Sequence, residues 1–438
     1  MTKNCLRDST PDSLSGLLFG FEGIRKALVI LNGPTGCKFY HSITADNQSL
    51  RKDNYDPLEY PEEWYFGQGR VPSTYLDKRD YVYGSEDKIN DILDFILSRT
   101  TPSLIAVVNS PGAALIGDDL ARIVKGGIAK HFAKADAAAK GAAGEDGAAE
   151  IPVVTCQSPG FSRDVSEGYA RACSIALDAL CGKPDGETGG RIPAESKNGP
   201  NGDGRPVVNI LGLSIYHKYH EGDLGQLKKL LRLCGVRVNT CLLCESTVDE
   251  IRAAKDADLN LVIDEDYGLE NAKEMQKAYG VPYVRPGAGF PVGFRAMEEL
   301  LQSAAAALGL SDADLAPALE AIAKARGTAY IHLARMSSLT GLPKGVPFSV
   351  HGSATFRRGY AAFLTDYLGM TETEDDRKAD IILADGNTIA CRKAEGLSFS
   401  GIEISLPSIG YIDVIPKTHI GPDGTLLLIE QILNGLTY

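Results

Sequence analysis

The residue type with the most pointed chemistry is the cysteine of Leu31–His41 (LNGPTGCKFYH), where Gly33 and Gly36 precede Cys37. A thiolate is both a nucleophile and a metal ligand. A turn that opens a helix would favour that thiolate through the helix N-terminus and lower its pKa. Iron–sulfur clusters are held by such thiolates, with nearby N–H groups tuning the sulfurs. The spacing is not that of a phosphate loop, since G-x-x-G-x-K lacks the four intervening residues and the following hydroxyl. Local pattern leaves Cys37 with two readings, a cluster ligand or a small buried residue packed under a turn.

The other candidates are weaker. Cys241 and Cys244 (CLLC) have half the spacing of a metal motif, within an apolar stretch that suits buried thiols. Cys156 follows an apolar pair before a Ser-Pro-Gly turn. His217 and His220 lie in Tyr216–His220, a polar loop after an apolar run, and His351 stands before Gly352-Ser353; His41 closes the Cys37 loop. Each histidine could move a proton or meet an anionic substrate edge. The run Asp264-Glu265-Asp266 is either a cation or proton site or a solvated loop.

These residues share a position in the pattern, just past an apolar run. Ala27–Leu31, Leu104–Val108, Val153–Val154, Val207–Leu213, Val236–Leu243, Leu259–Ile263 and Asp380–Ala384 read as strands covered on both faces. Between them lie amphipathic helices. One has Ser85 as its N-cap and Ile89, Ile92, Leu93, Ile96 and Leu97 on one face; another carries Leu227, Leu230 and Leu231 and ends at Gly235; a third carries Val165, Tyr169, Ala172, Cys173, Ala176 and Leu180. Alternating strands and helices predict α/β architecture with mostly parallel, doubly wound sheets, whose ligands sit at strand carboxyl ends. Ala133–Glu150 is a low-complexity insertion, and the Gly/Pro-rich stretch 183–206 is the best linker. With a further boundary near Leu308–Pro317, the expected domains are 13–182, 207–308 and 309–438.

The chain has 438 residues, 44% hydrophobic and 23% charged, which suits a folded protein of two or three domains. Its net charge of −12 supplies no basic stripe for nucleic acid. No apolar run could span a bilayer, the polar first residues do not resemble a secretory signal, and nine cysteines are too sparse for a disulfide scaffold. A cytoplasmic protein is expected.

Taken in order, several segments together resemble one family. Leu31–His41 resembles the glycine-flanked cluster cysteine of nitrogenase component 1 proteins. Asp80–Ile92 (DYVYGSEDKINDI), Asn109–Leu120 (NSPGAALIGDDL), Val153–Tyr169, Val207–Glu250 and Ala272–Gly293 are similar to later segments of those proteins, with Ile116-Gly117-Asp118-Asp119 intact. The resemblance implies three Rossmann-like domains. It implies pairing with a paralogous subunit or with itself, electrons from a separate ATP-hydrolysing iron protein, and an iron–sulfur cluster (4Fe–4S or P-cluster-like) shared at the interface. Fully ligated subunits place three cysteines there. Here Cys37 is the one that matches, and the compared positions fall at Ser73 and Ser110, so Cys37, Gly36, Ser73 and Ser110 form the expected cluster site. The cysteine that holds the nitrogenase cofactor would fall near Asp264. The expectation is therefore reduction of a small organic molecule or tetrapyrrole rather than dinitrogen, with His217, His220, Asp264 and His351 as candidate catalytic side chains. The alternatives are a metallocofactor assembly scaffold or a cluster-less binding protein of the same fold.

Overall fold

A computed structural model describes residues 11–38, 41, 71–138, 151–157, 163–182, 204–408 and 413–436. The apolar runs become strands of three parallel sheets. The first joins β1 (Ala27–Asn32), β2 (Leu104–Asn109) and β3 (Val153–Gln157) in that order, with Asn32 opposite Asn109. All six residues of β2 are buried, and the first five are an unbroken apolar run. A short bridge from Leu31 to Ser73 adds the segment around Thr74 to the far edge of β1, at its carboxyl end.

The second sheet is ordered β5 (Arg237–Cys241), β4 (Val207–Leu211), β6 (Leu259–Val262), β7 (Tyr283–Val284). The third is ordered β11 (Ser400–Ser405), β10 (Ile381–Asp385), β8 (Pro347–Val350), β9 (Thr371–Glu372). In the second sheet the chain steps from β4 outward to β5 and then back across β4 to β6. In the third it steps from β8 outward to β9 and then back across β8 to β10. Each sheet therefore reverses direction at β4/β6 and β8/β10, where a doubly wound sheet opens its crevice.

Two compact units hold these sheets. The described residues among 11–182 and 243–252 surround the first sheet, and the other described residues surround the second and third. The segment after β5 thus returns to the first sheet, where the Leu243 carbonyl oxygen lies 1.8 Å from the place a Cβ on Gly23 would take. The linker expected over 183–206 falls outside the described residues except for its last three, as does residue 139 onward of the low-complexity insertion.

The expected helices form over Glu86–Leu97, Val165–Cys181 and His220–Leu233. Ser85 stands at the N-cap position as expected, but its hydroxyl makes no cap hydrogen bond and is held instead by Asp118 and Asn32. The helix Ser13–Glu22 was not anticipated. Its residues from Ser13 to Phe21 are all buried, so it lacks the polar face that marks an amphipathic helix. It crosses Val165–Cys181 at backbone distance. A Cβ on Gly16 would stand 2.0 Å from the Val165 carbonyl oxygen, and one on Gly168 would stand 2.0 Å from that of Ser13. Because the obstacle is backbone, Gly168→Val should destabilise the first unit by about 3 kcal/mol or more. Urea unfolding measures this, and an unchanged midpoint would contradict the crossing.

Candidate functional site

The expected cluster residues converge at the carboxyl end of β1. Ser110 donates its backbone N–H to the Asn32 carbonyl at 2.9 Å. The Gly33 N–H donates to Thr74 Oγ1 at 2.9 Å, and the Gly33 carbonyl accepts from Ser73 Oγ at 3.1 Å and from the Leu76 N–H at 3.1 Å. Gly33 must be glycine, since a Cβ there would meet Ser110 Oγ at 2.5 Å, with the Cys37 Cβ 3.8 Å away. Cys37 itself sits half-buried in a 3₁₀ turn, Thr35–Lys38.

The expected lowering of its pKa is corrected. Burial pushes the Cys37 thiol up; a hydrogen bond from Ser110 opposes this and the Asp12 carboxylate adds to it. One 3₁₀ turn lacks the aligned peptides of a long helix, so desolvation prevails. A bound cation would supply the missing positive charge and draw off the proton.

As a donor set for iron, these residues divide. Cys37 fits: it is a soft ligand, partly accessible, and a Cβ on neighbouring Gly36 would meet nothing within 4 Å. Ser73 and Ser110 are buried and committed, Ser73 to the Gly33 carbonyl and Ser110 to capping the turn at Ala113 N–H, 3.2 Å away. They form the floor under Cys37. Among the described residues, Cys156 is buried, its thiol pushed up to about 12 by desolvation. Cys241 points its sulfur at the Leu213 carbonyl, 3.8 Å away, and Cys244 is buried in the segment that returns to the first sheet. His41, which was paired with the Cys37 loop, lies buried against Glu22 and the Phe19 ring.

The expected catalytic residues lie at the two crevices of the second unit. His217 and Asp264 meet at β4/β6, Nε2 to Oδ2 at 3.2 Å. The Ser214 N–H donates to His217 Nδ1 at 3.0 Å, which fixes Nδ1 as acceptor and makes Nε2 the donor to Asp264. Desolvation raises the Asp264 pKa while His217 counteracts it. This crevice is filled. A Cβ on Gly212 would be 2.3 Å from the Asp264 carbonyl oxygen, and His217 packs against Tyr267, Phe290 and Phe356. His220 turns back on the His217 carbonyl at 2.9 Å. His351 stands apart at β8/β10, bonded to Asp376 at 2.8 Å, which also accepts from Ser349 and Arg392. In the run 264–266, Asp264 caps a helix, Glu265 pairs with Arg285 and Arg358, and Asp266 accepts the Thr355 N–H.

Sequence reasoning passed over a buried polar cluster beside them. Lys218 is enclosed by Glu403 and Asp413, and Tyr219 donates to the Glu403 carbonyl at 3.0 Å. Asp223 accepts from Thr418 Oγ1 at 2.7 Å and from the His419 N–H at 3.1 Å, and the His419 ring bonds Tyr360 and Gln431, both at 2.9 Å. The available signal was Thr418-His419 just before the helix Gly421–Gly435. Nothing in the order of residues tied that pair to Asp223.

A family model described as nitrogenase component 1 type oxidoreductase matches residues 14–374. The chain is 26% identical over 275 residues to the nitrogenase iron-molybdenum cofactor biosynthesis protein NifE of Methanosarcina barkeri, covering 62% of this chain and 50% of that protein. It is 29% identical to NifE of Clostridium pasteurianum, covering 60% and 46%. It is 26% identical to a light-independent protochlorophyllide reductase polypeptide of Methylobacterium radiotolerans, covering 69% and 49%. The matched region thus spans about half the length of these relatives. A solved nitrogenase Cp1 structure shares the fold with a TM-score of 0.65 at 15% identity, covering 98% of this chain and 92% of that one.

The Asp223–His419 contact has a pH consequence. Burial raises the Asp223 pKa from 3.8 to about 6 and lowers that of His419 from 6.5 to about 4. The neutral carboxyl stabilises the fold below pH 3.8, an advantage lost as pH rises through 6. The neutral imidazole stabilises it above pH 6.5, an advantage lost as pH falls through 4. At about 1.4 kcal/mol per pH unit each amounts to about 3 kcal/mol, and between pH 4 and 6 the two slopes oppose. Relative to the parent, Asp223→Asn should therefore gain about 2 kcal/mol as pH rises from 4 to 6, and His419→Gln should lose about as much. Urea unfolding across this range measures both; differences independent of pH would refute the assignment.

Proposed function

Because this chain belongs to the nitrogenase component 1 type oxidoreductase family, we propose that it is one subunit of a nitrogenase-like reductase. In this reading Cys37 contributes a single thiolate to an iron–sulfur cluster shared with a second subunit, a separate iron protein hydrolyses ATP and delivers electrons, and a small organic molecule or tetrapyrrole is reduced. The observation that carries it is the division of the donor set. Cys37 is accessible and soft, while Ser73 and Ser110 are consumed by the backbone. A paired copy of this chain would bring only a second Cys37, so the remaining ligands are better supplied by a paralogous chain. Exposed side chains on neighbouring segments suit such a partner, and Tyr81 lies within electrostatic reach of Cys37. Tyr75, Tyr81, Val82, Tyr83 and Leu115 are large, apolar and solvent-facing, and they stand on the two segments that carry Ser73 and Ser110.

The cluster would supply one-electron transfer at low potential. The chain's own residues do the rest. The Ser110 hydroxyl favours the ionised form of the Cys37 thiol. The apolar rim, closed by a partner, would exclude water from it. Of the side chains expected to handle protons, His351 is partly exposed at its strand end, while His217, Asp264 and His220 are buried.

The NifE relatives favour a second reading, in which the same site holds a metallocofactor during its assembly without turnover. Anaerobic purification of the chain with its co-purifying partner tests the first premise. Iron and acid-labile sulfide, with the sulfur-to-iron charge-transfer absorption, should fall several-fold in Cys37→Ala while the complex still assembles; unchanged iron would refute the ligand assignment. Transfer of metal to an apoprotein without consumption of substrate would favour assembly over reduction.

A further inference from the structure

We propose that Asp118 is a positioning residue for the Cys37 loop, acting through a directed chain of buried hydrogen bonds. Asp118 Oδ2 accepts from both the backbone N–H and the hydroxyl of Ser85, each at 2.7 Å. With its proton committed to the carboxylate, Ser85 Oγ presents a lone pair to Asn32 Nδ2 at 3.0 Å. That fixes the Asn32 amide, whose Nδ2 also donates to Asn109 Oδ1 at 2.8 Å. The Asn32 Oδ1 is left to accept the Thr74 hydroxyl at 2.8 Å, and Thr74 Oγ1 in turn accepts the Gly33 N–H at 2.9 Å.

Every proton in this chain points toward one carboxylate. The negative charge therefore sets the orientation of the hydroxyls of Ser85 and Thr74 and of the amide of Asn32, and such charge-ended networks are stronger than their separate bonds. Ser85, Asn32 and Thr74 are all buried, so water does not compete. The chain ends on the glycine whose Cα faces both Ser110 and Cys37. Asp118 itself touches none of these and lies only half-buried at the start of the next helix. The bearing of this chain on a cluster rests on the reading given above; the anchoring of the loop does not.

Thiol labelling of the full-length chain, treated with a chelator, tests it. Iodoacetamide is applied and each cysteine is followed by peptide mass mapping, with buried Cys156 and Cys173 of the same unit reporting any general unfolding. Asp118→Ala and Thr74→Val, the second nearly isosteric, should each raise the Cys37 labelling rate several-fold while Cys156 and Cys173 stay protected. Thr74→Ser, which restores the hydroxyl, should label like the parent. In the double variant the increase should be no greater than in either single one, because both cut the same chain. An unchanged Cys37 rate, multiplicative effects in the double variant, or labelling of Cys156 and Cys173 in step with Cys37 would each overturn the proposal. Loss of iron binding in Cys37→Ala is a separate readout, so the failure of one inference is distinguishable from that of the other.

Discussion

The backbone of Asn32 and Gly33 is the constraint on which the first unit's strand-end chemistry depends. Its neighbours on three sides are fixed by hydrogen bonds. Ser110 donates to the Asn32 carbonyl, Thr74 accepts the Gly33 N–H, and Ser73 donates to the Gly33 carbonyl. A side chain at position 33 would collide with Ser110. The segments that carry residues 37, 73 and 110 therefore have one mutual arrangement, set by hydrogen bonds that converge on the backbone of Asn32 and Gly33. Serine at two of these places is consistent with that role, because a hydroxyl can serve the backbone in ways a thiolate cannot.

The two strand-end sites handle polarity in different ways. The Cys37 site gathers neutral amides and hydroxyls under a half-buried thiol and ends them on the half-buried carboxylate of Asp118. The Tyr216–His220 loop is surrounded by buried charges: Lys218 between two carboxylates, and Asp223 against the His419 loop. Burying ions is costly unless each is paired and hydrogen-bonded. Here Glu403 draws a hydroxyl donor besides its ionic partner, from Ser408 at 2.7 Å, and Asp223 draws a hydroxyl and a backbone N–H. Such a network holds the Tyr216–His220 loop against β11 and leaves its side chains fully engaged.

The fold was legible wherever burial on both faces imposed an uninterrupted apolar run. Leu104–Val108 and Leu259–Ile263 were readable for that reason. The two-residue strands β7 and β9 carry too few residues for any period, and β11 (SGIEIS) alternates too briefly to stand out. The helix Ser13–Glu22 was missed because complete burial erases the polar face that periodicity detects. At the site, the convergence of Cys37, Ser73 and Ser110 followed from strand ends and family resemblance. The protonation of Cys37 did not, since it depends on desolvation and on Asp12, partners that spacing cannot reveal. Ser85 shows the same limit. As a helix-preceding serine it had the signature of a cap, but Asp118, 33 residues away, claimed the hydroxyl.

The return of Leu243–Arg252 to the first unit has a bearing on how the chain is made. Ile24 pairs with Ser246, and the Cys181 sulfur donates to the Ile251 carbonyl at 3.2 Å. Those partners leave the ribosome long after β1 and before β6. Until they emerge, Gly23 and the end of the helix Val165–Cys181 lack their covering strap, so vectorial synthesis yields an incomplete first unit with β4 and β5 already translated. Maturation of the two halves is thereby interleaved in time, even though each has its own core.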